Sequence, residues 1–402
     1  MKKLLALLLS LVMVLSFAAC SGEKATEQGG AEAVSDDFKV GFIFLHDENS
    51  TYDKNFIDAA IAATEAMGLS ESQVMFKKNI DESAACYDAA ADLADAGCDL
   101  VFADSFGHED FMIQAAKEYP EVTFCHATGT KAHTEKLPNF YNAFASIYEG
   151  RYLVGVAAGL KINDMIEKGE ITAEQAKMGY VGAYPYAEVK SGLTSFFLGA
   201  RSVCPSVTMD VKYTNSWFDI AAEKETANAL IADGCILISQ HADSEGAPKA
   251  CEEAGVPNVA YNLDTRQWGP NTALVSSKIN WQPYFEHIID AKKNGTEIEQ
   301  DFCKGLADDV VQILGLNDAV AAPGTEAKLE EVKAKLISGE IKVFDTAAFT
   351  VKGETLESYK ADVDSDEAFE GDTEVVADGY FHESEYRSAP YFDVDIDGIT
   401  TK

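Results

Sequence analysis

From residue 38 onward the chain alternates short runs of β-branched and aromatic residues with longer stretches whose apolar positions recur every three or four residues. That alternation predicts parallel strands joined by helices. Strands are expected at VGFIFL, VMFKKN, DLVFAD, VTFCHA and YNAFAS, with helices at FIDAAIAATEAMG, AACYDAAADLADAG and EDFMIQAAKEYP between them, each ending near Gly or Pro. The same grammar then repeats, with strands MGYVGAY, VTMDVKYT, CILISQH, NVAYN and ALVSSKIN and helices SFFLGARSV, AAEKETANALIADG and APKACEEAG. Each passage closes on a strand followed at once by an aromatic-bearing helix, IYEGRYLVGVAAGLK in the first and WQPYFEHIIDAKKNG in the second. These helices are expected to carry the chain from one lobe to the other and back.

The prediction is therefore an α/β protein of two doubly wound parallel-sheet lobes with a central cleft. Residues 38–147 plus about 281–305 form the first lobe, and 148–280 plus about 306–345 the second. A helix at EAKLEEVKAKLISG and a strand at IKVFDT complete the second lobe, and the acidic stretch 346–402, poor in apolar residues, reads as an irregular tail on the surface. Ligands of open α/β sheets bind beyond the carboxyl ends of the strands.

The N-terminus adds an address. Lys2 and Lys3 precede a leucine-rich run that stops at Ala18, Ala19 and Cys20, the pattern of a bacterial lipoprotein signal. Residues 1–19 read as a cleaved signal peptide, Cys20 as the lipidation site, and 20–37 as a polar linker; Phe17 stands where Leu is commonest. No second segment approaches the length of a membrane span, so the mature chain is expected to be tethered by lipid at the extracytoplasmic face of the cell membrane.

Charge and cysteines narrow the partners. The formal charge of −35 becomes −37 once Lys2 and Lys3 leave with the signal, and such a surface repels phosphate backbones, so no nucleic acid is expected as a partner. The seven cysteines after Cys20, namely Cys86, Cys98, Cys125, Cys204, Cys235, Cys251 and Cys303, show no CxxC spacing and mostly sit in apolar runs, as small buried thiols do. No metal site or cofactor is indicated. The Asp alternations Asp362, Asp364, Asp366 and Asp393, Asp395, Asp397 imitate calcium loops, but the first has Glu367 where Gly is needed and the second ends before a closing Glu.

The segments after the strands gather a consistent chemistry: ENSTYDKNF, DSFGHED, HATGT, NSWFD, QHADSEG and YNLD. Aromatics (Tyr52, Phe106, Trp217, Phe218) stand beside amides, hydroxyls and carboxylates (Asn55, Ser105, Asp219, Asp243, Asp264), which suits a flat, polar-edged ring such as a purine. His241 is a further candidate contact. Asp219 has a rival role as N-cap of the helix that follows it. Single aromatics at strand ends often only cover the core, so the reading rests on their joint placement. No GxSxG elbow, HExxH helix, Walker loop or GxGxxG fingerprint occurs, so no catalytic residues are assigned.

The blocks SFG (Ser105–Gly107), HATG (126–129), YEGRY (148–152), NSWFD (215–219) and QHADS (240–244), in this order, resemble the basic membrane protein family of ABC-transporter substrate-binding lipoproteins, which includes purine nucleoside receptors. The resemblance runs from VGFIFL to EEVKAKLISG and leaves out the acidic tail. It implies a type I periplasmic-binding-protein fold that closes on its ligand by hinge motion, with an ABC permease as partner and no catalysis. It further implies stacking by Tyr52 against Trp217 or Phe218, a base contact at Asn55, a base pocket lined by Ser105 and Phe106, and ribose contacts at Asp264 and Lys278. The spacing in LVSSKIN departs by about one residue from the family's pattern at Lys278, so nucleobase and nucleoside both stay open. The expectation is a monomeric receptor for a purine; a sugar or autoinducer receptor of the same fold, or a secreted nucleoside hydrolase, are the alternatives.

Overall fold

The computed structural model describes residues 37–363 and 371–402. The signal peptide 1–19, Cys20 and all of the linker before Asp37 lie outside the described residues, as do Asp364 and Asp366.

The first lobe runs β1 (Val40–Ile43), α1 (Thr51–Ala66), β2 (Val74–Lys77), α2 (Ala84–Asp95), β3 (Leu100–Ala103), α3 (Glu109–Glu118), β4 (Thr123–Ala127), the single turn α4 (Ala132–Glu135) and β5 (Phe140–Ala145). The chain crosses through α5 (Ile147–Glu167) into β6 (Lys177–Gly182), α6 (Ala187–Val203), β7 (Thr208–Tyr213), α7 (Ile220–Ala232), β8 (Leu237–His241), α8 (Gly246–Ala254), β9 (Asn258–Tyr261) and β10 (Ala273–Ile279). It returns through α9 (Gln282–Asn294) to β11 (Asp301–Lys304), then ends its helical part with β12 (Val311–Leu314) and α10 (Thr325–Ile337).

Strand order in the first sheet is β11-β5-β4-β3-β1-β2, all parallel. The second is β12-β10-β9-β8-β6-β7, extended beyond β7 by a C-terminal strand, Ile399–Thr401; only β12 runs antiparallel. Both sheets share one winding: their first two strands exchange places and the rest follow in order. Each therefore reverses direction beside its first strand, between β1 and β3 and between β6 and β8, where a doubly wound sheet opens a crevice at its carboxyl edge.

Two features weld the second lobe. Gly155 and Gly159 of α5 and Gly199 of α6 let the two backbones touch: a Cβ on Gly199 would lie 2.0 Å from the Tyr152 carbonyl oxygen, and one on Gly155 2.1 Å from that of Phe196. Arg151, from the YEGRY block, is fully buried, and donates to the Ala260 carbonyl (2.9 Å), Ser239 Oγ (2.7 Å) and Tyr180 hydroxyl (3.2 Å). Its guanidinium lies over the rings of Tyr180, Phe196 and Tyr261. Cation–π attraction and three hydrogen bonds stand in for the missing carboxylate. In the first lobe Trp281, at the head of α9, is buried against Phe56 at 4.4 Å and Phe102 at 6.2 Å.

The structure departs from expectation at several places. IKVFDT forms turns instead of a strand, with one bridge from Asp345 to Tyr380, because Phe344 turns inward to stack on Phe392 at 4.3 Å. The short strands β11 and β12 carried too few residues to show periodicity. Helix α6 begins at Ala187, eight residues before the expected start at Ser195, since its first turns carry polar residues. The acidic segment is irregular, yet Phe349, Phe381, Tyr391 and Phe392 are buried in the main core; its apolar residues are spaced without period, so composition alone hid them. The seven described cysteines are free thiols, six buried and Cys303 half-buried. No described helix is long and apolar enough to cross a membrane.

Candidate ligand-binding site

The carboxyl edges of both sheets face one slot. From the first lobe come Leu45 and His46 after β1, Tyr52 and Asp53 at the start of α1, Ser105 and Phe106 after β3, and Thr128 after β4; from the second come Glu188, Trp217, His241 and Asp243. The room left inside is about 20 Å³, enough for about one water molecule. A slot so narrow between aromatic walls admits a flat ring only when the lobes part. Thr51 donates its amide to the Asp243 carbonyl at 2.8 Å, joining the lobes at the slot's edge.

Local structure aims these groups. Ser50 caps α1 and its hydroxyl donates to Asp53 Oδ2 at 2.6 Å, while the His46 amide donates to Asp53 Oδ1 at 2.7 Å. Burial alone would raise the Asp53 carboxyl, but these bonds and the His46 ring hold it below its ordinary value. Asp104, buried behind it, accepts the Leu45 amide and is pushed well above its ordinary value by burial and by the Asp53 charge. The Tyr52 hydroxyl donates to the Asp104 carbonyl at 2.7 Å, fixing the ring. On the opposite wall burial and the charges of Glu223, Asp53 and Glu188 push the Asp243 carboxyl well above its ordinary value, with Asn262 Nδ2 at 3.5 Å from its Oδ1. His108 and His126 are both pushed down to about 4 by burial and are therefore neutral; their Nε2 atoms face the Ile80 and Ser105 carbonyls. Thr128, Asn215 and Asn262, at the ends of β4, β7 and β9, have φ of 66°, 56° and 71°. For the β-branched Thr128 this is strained backbone, gathered where the slot is built.

The aromatic wall is larger than the strand ends suggested. Trp217 meets Tyr184 edge-on at 5.1 Å and lies 6.0 Å from Tyr186, and Tyr186 reaches across to Phe106 at 5.5 Å. Phe218 sits at the rim, 5.4 Å from the His46 ring. Tyr184 closes the predicted strand MGYVGAY, and Tyr186 and Glu188 lie in the loop and helix start after it, where no strand-end motif marks them; Asp53 follows Tyr52 in ENSTYDKNF, and Thr128 stands in HATGT.

Of the residues named from sequence, Tyr52, Ser105, Phe106, Trp217, His241 and Asp243 line the slot. Five others do not: Phe218 at the rim, and Asn55, Asp219, Asp264 and Lys278. Asn55 donates to the Ile279 carbonyl at 2.8 Å, pinning α1 to the end of β10. Asp219 caps α7, accepting the amides of Ala221 and Ala222, which is the rival role foreseen for it. Asp264 caps the turn Thr265–Gln267 and is paired with Arg266 at 2.5 Å. Lys278, half-buried on β10, feels the carboxylates of Asp58 and Asp309 while burial lowers its pKa. Asp264 and Lys278, for which the resemblance implies ribose contacts, therefore lie outside the residues that line the slot, and Asp264 is paired with Arg266. Among the described residues no cluster of His, Cys, Asp or Glu could hold a metal ion. Asp393 and Asp395 instead pair with Lys190, and Asp397 accepts from Thr350 and Gly353.

Two α/β lobes closing an aromatic slot describe a device for capturing a small solute. Residues 42–347 match the model of the Bmp family, described as ABC transporter substrate-binding protein PnrA-like. The chain belongs to this family. Members of the family are solute-binding proteins, not enzymes, and work outside the cytoplasm with a permease. A purine-binding protein of Brucella abortus is 34% identical over 79% of this chain and 85% of its own. A protein of Haloferax volcanii, provisionally named an ABC-transporter glucose-binding protein, is 30% identical over 77% of this chain and 72% of its own. A solute-binding protein of Aeropyrum pernix superposes with a TM-score of 0.65 at 19% identity, covering 76% of this chain and 93% of that one, and shows the shared fold.

Proposed function

We propose that this solute-binding protein captures a purine, as nucleobase or nucleoside, and delivers it to an ABC permease while Cys20 anchors it by lipid to the outer face of the membrane. The observation that carries the ligand reading is the slot itself. Tyr52 and Trp217 bring aromatic rings to the slot from opposite lobes, and the carboxyl groups of Asp53 and Asp243 line it with them, with no Lys or Arg among the described lining residues.

The two carboxyls sharpen the fit. Asp53, whose carboxyl is held low, accepts from ring N–H or amino groups, whereas burial favours the protonated form of Asp243, which offers one donor and one acceptor side by side, the complement of a ring nitrogen flanked by an amino group. Stacking supplies affinity and these edges supply identity. The name of the Brucella relative supports the same class.

The Haloferax relative's name favours a second reading, a sugar ligand, since a pyranose also stacks on aromatic faces. A thermal-shift panel of adenine, guanine, hypoxanthine, their ribosides, glucose and ribose separates the two. Stabilisation by at least one purine and none by the sugars is expected; response to glucose alone would overturn the purine reading. Metabolic labelling with palmitate, lost on Cys20→Ala, tests the anchor.

A further inference from the structure

The family match stops at residue 347, yet the chain continues to Lys402, and this continuation grips both lobes. On the first, Ser388 donates through its amide (3.2 Å) and its hydroxyl (3.0 Å) to Asp301 Oδ1 at the head of β11, while Asp301 Oδ2 meets His133 Nδ1 at 3.0 Å. On the second, Lys190 of α6 pairs with Asp393 at 2.7 Å and Asp395 at 3.1 Å, Arg201 donates to the Asp397 carbonyl at 3.3 Å, and Ile399–Thr401 lies parallel to β7.

Between these anchors residues 389–392 pass from one lobe to the other, with Tyr391 and Phe392 turned into the core. Ala389, Pro390 and Asp393 line a chamber of about 260 Å³ whose other walls include Phe106 and Thr128 of the first lobe and Glu188 of the second. Phe106, Thr128 and Glu188 also line the slot, so the chamber is its mouth. The slot has room for about one water, far less than a purine ring needs, so a ligand enters only as the lobes part here. The stretch 388–393 reaches at most about 20 Å when fully extended, and it cannot follow a wide opening while both ends are held. Main-chain pairing holds the second-lobe end. At the first-lobe end both Ser388 bonds share one acceptor, Asp301 Oδ1, so a single change removes them.

We infer that the C-terminal segment is a strap that latches the two lobes across the mouth of the cleft through Ser388 and Asp301, and that ligand enters and leaves when this latch opens. The kinetic arm of its test rests on the purine reading; the scattering arm does not. Asp301→Ala removes the acceptor of both Ser388 bonds, and Lys190→Ala loosens the opposite anchor. Small-angle X-ray scattering of the purified chain without added ligand is expected to give a larger radius of gyration for both variants than for the wild type. Stopped-flow measurements with adenine or the best ligand of the panel are expected to show association and dissociation each accelerated about tenfold by Asp301→Ala, the loss of hydrogen bonds to a charged group. Kd should move less than either rate, because the latch acts on the empty and the filled protein alike. Ser388→Ala, which keeps the main-chain bond, should shift the rates the same way by less, and decides the matter should Asp301→Ala unfold. Superimposable scattering and rates within about twofold of wild type in folded variants overturn the strap. A wild-type chain that binds no purine counts against the ligand reading alone, and scattering still decides the strap.

Discussion

Trp217→Ala tests the slot most directly. The indole lines the slot and leans on Tyr184 at 5.1 Å and Tyr186 at 6.0 Å. Those two ring contacts exist with and without ligand, so they cancel from the binding free energy and appear only in stability, as a loss of about 1–3 kcal/mol at about 0.5–1.5 kcal/mol per aromatic pair. What the ligand alone loses is one stacking face, worth about 1–3 kcal/mol for a base on an aromatic side chain. The upper half of that range applies because the slot is narrow, so Kd should weaken about 30- to 150-fold at about 1.4 kcal/mol per decade. The main chain is spared: the Trp217 carbonyl still accepts the Asp243 amide at 2.9 Å. Isothermal titration calorimetry on wild type, Trp217→Ala and Trp217→Phe, with thermal unfolding of each, makes the measurement. The phenylalanine variant keeps a face and should lose less than about tenfold. A Kd for Trp217→Ala within about threefold of wild type, in a folded protein, would refute the stacking argument.

Three further outcomes follow from other parts of the fold. Gly199→Ala should destabilise by about 3 kcal/mol or more, read by chemical denaturation, since the new methyl would meet the Tyr152 carbonyl oxygen at 2.0 Å and force α5 from α6; unchanged stability would deny that close approach. Asp219→Ala should cost about 1 kcal/mol of stability through the lost cap of α7 and leave ligand Kd unchanged; a large loss of affinity would restore Asp219 to the site. Burial pushes the Glu223 and Glu383 carboxyls up to about 7 from an unfolded value of 4.5. Between those values the folded chain holds protons that the unfolded chain releases, so stability falls as pH rises from about 4.5 to 7. Tm should accordingly be higher near about pH 5.5 than about pH 8, with a shallower slope in Glu383→Gln; the same slope in that variant would remove Glu383 from the account.

Much of this protein was legible in the order of its residues. Strand and helix periods exposed two lobes with the same winding, because a strand covered on both faces must be apolar throughout and its helices on one stripe only. The motif blocks drew attention to the strand ends, where Tyr52, Ser105, Phe106, Trp217, His241 and Asp243 do line one slot. Tertiary structure alone decided which polar residues face that slot. Asn55, Asp264 and Lys278 have the right chemistry and a nearby place in the chain, yet none lines the slot: the Ile279 carbonyl claims Asn55 and Arg266 claims Asp264. Nor could sequence reveal the raised carboxyl pKa of Asp104 and Asp243, which depends on burial and on carboxylates contributed by other elements. The acidic C-terminus is the sharpest case. Its composition marks it as surface, and so it is along much of its length, but whether it hangs free or bridges two lobes depends on where Asp301 and Lys190 stand in space. Local pattern reports which face of an element seeks the core; only the packed chain decides which elements meet.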